Sequence, residues 1–157
     1  MHDSKIIEDN YAKAVAGIKE EWQVKDGESW YQYIMCLPLP QRITYMIVVL
    51  DNQVFNGRLH QYFTNGYGRF ASETVKALKN IGAVKKSEIP EEALKLVNAE
   101  DKPDIDFRKQ LLEKQIPSLF IKDDLFDPLD KLDDKYYDSK EEDIEKLLAG
   151  FLNKTSE

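Results

Sequence analysis

An all-α fold is what the sequence predicts: one compact domain of about eight helices, several of them short. Three observations carry that expectation. Apolar residues recur at steps of three and four along nearly every segment long enough to show a period. Glycine and proline fall between these segments, often beside asparagine or aspartate, where helices end. No two alternating runs face each other across a tight turn, so no hairpin is expected. At 157 residues the chain fits one domain, here read as residues 1–157, and has enough surface to bury a core without staples.

The elements follow in order. Ile7, Tyr11, Val15, Ile18 and Trp22 lie on one helical face, with Asp9 and Lys13 placed to pair on the other, and Asp26-Gly27 ends the segment. Ser29 with Gln32 suits a capping box for a short aromatic helix from Trp30 to Cys36. Leu37-Pro38-Leu39-Pro40 breaks it, and Pro40 suits the first turn of the next helix. Ile43 to Leu50 is rich in β-branched residues, which favours a strand by composition. The apolar positions continue as Ile43, Met46, Ile47, Leu50 and Val54, and that length decides for helix. Asn56-Gly57 supplies a left-handed stop, and a short segment from Leu59 to Thr64 ends at Asn65-Gly66. Another helix begins at Ala71 or Ser72 and closes at Gly82. Pro90 opens one through Val97, and Asp101-Lys102-Pro103 separates it from a helix holding Phe107, Leu111 and Gln115, which Pro117 ends. Asp127-Pro128 reads as a cap and first turn leading to Leu129, Leu132 and Tyr136. Ser139 with Glu142 reads as the capping box of a last helix holding Ile144, Leu147, Leu148 and Phe151.

Composition excludes several function classes. The single cysteine, Cys36, allows no internal disulfide and fits a reducing compartment. The opening residues lack the basic and apolar regions of a secretory signal, and the longest apolar run, Met46 to Leu50, is far below a membrane span. A cytoplasmic location follows, with no membrane partner. Metal ligation is not expected: no Cys/His spacing exists, and the aspartates lack the glycine a calcium loop requires. No cofactor is expected either.

The charge is unevenly placed. The net charge is −7, yet the stretch from Asp123 to Glu145 holds 11 acids against Lys131, Lys135 and Lys140 and sums to −8, leaving +1 for the rest. Direct nucleic-acid binding through that stretch is excluded by like-charge repulsion. Within it Asp123, Asp127, Asp130, Asp134, Asp138, Glu141 and Glu145 stand at steps of four, three, four, four, three and four. On helices they form a ridge with Leu125, Leu129, Leu132 and Tyr136 on the opposite, inward face. Pro128 and Ser139 divide that ridge among two or three helices. A ridge of this kind is suited to arginines that otherwise grip phosphates. The competing reading is a solvated surface, in which the acids of a helix first turn serve only that helix.

A family resemblance adds to this. Leu39-Pro40-Gln41-Arg42, Leu50-Asp51, the block Asn56-Gly57-Arg58-Leu59-His60-Gln61-Tyr62-Phe63-Thr64-Asn65, and Ala77-Leu78-Lys79-Asn80-Ile81-Gly82-Ala83 resemble the bacterial DNA-mimic protein family. Leu132-Asp133-Asp134-Lys135-Tyr136-Tyr137 resembles its C-terminal part. The resemblance spans roughly residues 39–152, leaving 1–38 as N-terminal helices. It implies an all-helical fold, often a homodimer. It also implies, for part of the family, an acidic face that occupies the DNA-binding surface of a helix-turn-helix regulator. Arg58 and Leu59 depart from it, standing where the family usually has glycine and phenylalanine.

The expected function is therefore an acidic module that binds a basic protein surface, with a DNA-binding regulator as the concrete partner. Two alternatives from other classes are a toxin-neutralising immunity-type protein and an enzyme using the His60 region. The polar block does not favour an enzyme. Asn56, Gly57, Gln61 and Asn65 are the residues a chain reversal needs, and Cys36 with His60 would require a pairing that nothing in the sequence signals. Arg58 reads as an exposed contact. Trp22, Trp30, Tyr31 and Tyr33 are candidates for a dimer interface.

Overall fold

The computed structural model describes residues 3–23 and 27–155. Every regular element among them is helical, and no strand occurs among the described residues. In chain order the helices are α1 (Asp3–Val15), α2 (Gly27–Met35), α3 (Leu39–Asn56), α4 (Arg58–Thr64), α5 (Ala71–Asn80), α6 (Val84–Val97), α7 (Asp104–Leu112), α8 (Pro117–Phe120), α9 (Phe126–Asp138) and α10 (Ile144–Thr155). Two 3-10 turns, Glu20–Gln23 and Tyr67–Phe70, join them. Ten helices among the described residues exceed the expected eight: α4 is the short segment read from Leu59 to Thr64, and α8, four residues long, is too short for periodicity to register.

The first segment breaks earlier than its apolar period implies. α1 stops at Val15 because the Tyr33 hydroxyl, reaching over from α2, donates to the Ala14 carbonyl (2.8 Å) and accepts the Gly17 N–H (3.2 Å). The Tyr33 ring leaves no room for a Cβ at Gly17. Trp22 then reaches the Tyr33 ring, 5.5 Å away, from the first 3-10 turn. The expected Asp9–Lys13 pair is replaced by Lys5–Asp9 at 3.1 Å. Asp26 and His2 lie outside the described residues.

α3 is the central helix, and its length overrules the β-branched composition. Ile43, Tyr45, Met46, Ile47, Val49, Leu50 and Val54 are all buried along it, and it packs against α1, α2, α4, α5 and α10. Pro40 sits in its first turn as expected. One buried cluster runs from Ala14 through Leu152, so N-terminal and C-terminal helices share a core. Trp30 of α2 lies within it, 1% exposed, edge-on to Tyr67 (5.3 Å) and Phe70 (5.4 Å), with its indole N–H donated to the Tyr45 hydroxyl (3.1 Å). The dimer-interface expectation for Trp30 is thereby corrected: it is core.

Several helix starts differ from the local signals, and for α6 a distant residue is the cause. α2 begins at Gly27, two residues ahead of the Ser29–Gln32 box, and Gln32 bonds Glu28 instead (3.4 Å). α6 begins at Val84 and carries Pro90 in its interior. Its early start is held by Glu142, whose carboxylate accepts the N–H groups of Lys85 (2.8 Å) and Lys86 (2.6 Å). Glu142 is therefore not the partner of Ser139 in a capping box. Ser139 closes α9, and Asp143 caps α10 by accepting the Lys146 N–H (3.2 Å). α9 starts at Phe126, one residue before the expected Asp127 cap, and Pro117 opens α8 after α7 has ended.

The left-handed stop after α3 is also displaced. Gly57 has φ −134°, and the positive φ falls on the next residue, Arg58, at 69°. Gly66 (88°) and Gly82 (90°) take the left-handed conformation where the sequence places it.

Candidate functional site

α9 has two faces of opposite character. Leu129, Leu132 and Tyr136 are buried, with Leu125 just before the helix, as the period predicts. Asp127, Asp130, Asp134 and Asp138 lie along the other side of the same helix. Asp123 precedes α9, Glu141 lies in the link after it, and Glu145 lies in the first turn of α10. The seven carboxylates thus occupy two helices and two connections, the division that Pro128 and Ser139 suggest.

Three acids of α9 converge on Arg58, which opens α4. Its guanidinium Nε lies 2.6 Å from Asp130 and 3.3 Å from Asp133, and its terminal nitrogen lies 3.2 Å from Asp134. The ring of Tyr137 lies 5.6 Å from the guanidinium carbon. Arg58 is therefore an internal clasp between α4 and α9 rather than a free surface contact. Burial alone would lower its pKa, and Asp130 with Asp133 outweigh that and raise it. The left-handed backbone at Arg58 costs roughly 1–2 kcal/mol for a residue with a Cβ. It turns the chain so that the Leu59 N–H meets the Asp133 carboxylate at 2.9 Å.

Asp133 stands outside the seven-residue ridge and is the acid most deeply placed in the site. It is 1% exposed, and burial pushes its pKa up to about 6 against the pull of the Leu59 N–H and Arg58. A signal did exist: Asp133 stands four residues after Leu129 and one after Leu132, in the inward phase of the helix.

The link after α9 is pinned as firmly. Glu141 pairs with Lys85 at 2.6 Å, and that hydrogen bond holds its carboxyl below the usual range. Lys86 donates to the Tyr136 carbonyl (2.7 Å), and the Tyr136 hydroxyl donates to Asp51 of α3 (2.7 Å). These bonds tie α3, α6 and α9 behind the acidic face. Of the seven predicted acids, Asp130 and Asp134 are engaged by Arg58 and Glu141 by Lys85. Asp123, Asp127, Asp138 and Glu145 are exposed and have no ion-pair partner among the described residues.

The polar block before α9 serves the turn. Asn56 bonds the Asn52 carbonyl (2.8 Å), Asn65 bonds the Gln53 side chain (3.3 Å), and the Gln61 carbonyl accepts the Asn65 N–H (2.8 Å). The Gln61 side chain lies over Gly57, filling the space a Cβ would need. His60 stacks on Phe126, with ring centres 4.7 Å apart, at the wall of a cavity of about 280 Å³ that Arg58 and Asp133 also line. Cys36 is exposed at the end of α2. No group of three His, Cys, Asp or Glu side chains among the described residues is arranged to hold a metal ion. No described helix is long and apolar enough to cross a membrane.

With this geometry in place, comparison with known proteins gives one finding. A model of the family described as DMP19-like protein matches residues 35–155. No curated protein and no solved structure matches the chain.

Proposed function

The chain belongs to the DMP19-like protein family, and we propose that it is a DNA mimic: an acidic module whose α9–α10 carboxylates bind a basic protein surface, the DNA-binding face of a transcription regulator. The observation that carries this reading is the split within the acidic segment. Arg58 and Lys85 hold one set of carboxylates, while Asp123, Asp127, Asp138 and Glu145 face solvent. Duplex DNA presents one charge per about 1.7 Å of axis, whereas a helical ridge presents one per turn, about 5.4 Å. The ridge therefore matches a few arginines of one recognition element rather than a whole DNA footprint. Each such pair gains from bidentate geometry and steers encounter more than it deepens affinity.

The reading is of a non-catalytic protein. His60 packs its ring on Phe126, and Asn56, Gln61 and Asn65 direct their hydrogen bonds to the turn, which supports a structural task for the whole block. A cytoplasmic site of action and self-association through a homodimer belong to the same proposal.

The test is capture from native lysate by wild type and by a triple variant, Asp123→Asn, Asp127→Asn and Asp138→Asn, which spares the acids that hold the fold. Wild type is expected to retain a helix-turn-helix regulator that its own operator duplex displaces. The variant binds it at least tenfold more weakly, three screened surface charges contributing roughly 0.5–1 kcal/mol each. Equal binding by the two forms, or a bound regulator that operator DNA does not displace, overturns the proposal. Capture of a toxin enzyme blocked at its cleft would move the reading to an immunity-type role.

A further inference from the structure

A second charged site lies on elements that contribute nothing to the carboxylate ridge. Arg69, in the 3-10 turn before α5, is only 8% exposed. Its Nε donates to the Gly66 carbonyl (2.7 Å), and its guanidinium lies 4.5 Å from the centre of the Trp30 ring. The two terminal nitrogens lie against bare backbone: a Cβ at Gly27 would overlap one, and a Cβ at Gly66 would come within 2.7 Å of the other. Among the described residues no carboxylate forms an ion pair with Arg69. Glu28, beside it, spends both oxygens on Arg108, at 2.9 and 3.1 Å. Burial lowers the Arg69 pKa to about 10, against the opposing pull of Tyr45 and Glu28.

Arg69 opens onto a cavity of about 350 Å³ between the first turn of α2 and α7. Arg108 and Lys109 add positive charge to its wall, Glu28 and Asp106 add negative, and Ile105 and Leu112 make the remainder apolar. Three cations against two carboxylates leave this wall at +1 on a chain whose net charge is −7. The volume lies at the small end of the range for ligand sites, and apolar walls with a few placed charges are their usual composition.

We propose that this cavity is a binding site for a small carboxylate with an apolar tail, its oxygens on Arg69 and Lys109 and its tail against Ile105 and Leu112. A monoanion suits the site better than a dianion such as phosphate, which Glu28 and Asp106 repel. The planar fork of an arginine is matched by a carboxylate, as the Glu28–Arg108 pair beside it demonstrates.

Hexanoate is the probe, with hexanol and inorganic phosphate as comparisons, in thermal unfolding and in proton–nitrogen spectra of the arginine Nε–H groups. Hexanoate at about ten times its Kd is expected to raise the Tm by about 3 °C and to move the Arg69 signal while leaving the Arg58 signal in place. Ile105→Glu puts a carboxylate at the rim on a residue already 64% exposed. It is expected to weaken hexanoate at least tenfold without altering the Tm of the free protein. Three results overturn the site: hexanol acting as well as hexanoate, phosphate acting in its place, or no movement of the Arg69 signal.

Discussion

Trp30→Ala is expected to lower the unfolding free energy by about 3–5 kcal/mol, the usual cost of emptying a buried aromatic site. Three losses add to the cavity. Tyr67 and Phe70 lose an edge-to-face partner, the buried Tyr45 hydroxyl loses the indole N–H, and the Arg69 guanidinium loses its aromatic cover. For a chain of this size the Tm falls by about 10 °C or more. Urea unfolding measures the change directly. A loss near 1 kcal/mol would show that the surrounding rings close over the gap and that Trp30 does not organise the N-terminal helices.

Asp133→Asn is expected to change stability with a distinctive pH dependence. The folded-state pKa of Asp133, about 6, lies above the unfolded value of about 3.9, so between those values the folded protein holds the extra proton. Wild-type stability therefore falls as pH rises from about 4 to about 6, through this group, and is flat above. The asparagine variant lacks that slope. Relative to wild type it gains roughly 2–3 kcal/mol over the same window, whatever its offset at pH 4. Comparing the two proteins cancels the opposite contributions of carboxylates such as Glu28 and Glu141, which are held below their usual range. A difference that does not change with pH would show that Arg58 and the Leu59 N–H outweigh burial and keep Asp133 ionised throughout.

Long periodic segments were legible in the sequence, and helix beginnings were not. α3, α5 and α9 carry apolar residues at helical spacing over several turns, so their existence and inward faces follow from the pattern alone. Capping depends on whichever acceptor is nearest in space. For α6 that acceptor is Glu142, more than fifty residues later, so the local signal points to a start at Pro90, which lies within the helix. For α1 the end is decided by the Tyr33 hydroxyl. The acidic ridge was readable as a spacing, but its internal accounting was not. Which aspartates meet Arg58 depends on the turn at Gly57 and on a positive φ carried by an arginine, where sequence rules place it on the glycine. Arg69 gave no signal at all, since its burial depends on Gly27 and Trp30, distant in the chain, closing over a turn that begins at Gly66.

The cap that Glu142 places on α6 bears on the order in which the chain can be finished. Synthesis proceeds from the N-terminus, and the first turn of α6 emerges long before the residue that accepts its N–H groups. Until then Lys85 and Lys86 bring positive charge to a helix end that already carries a partial positive dipole, an arrangement that opposes helix formation. The arrival of the acidic stretch reverses this, closing a loop of more than fifty residues through Glu142, with Glu141 on Lys85 and the Tyr136 carbonyl on Lys86 beside it. A nascent chain is thus left with a frayed α6 until its C-terminal third has emerged, and the same acids that give the finished surface its charge complete the helix beneath it.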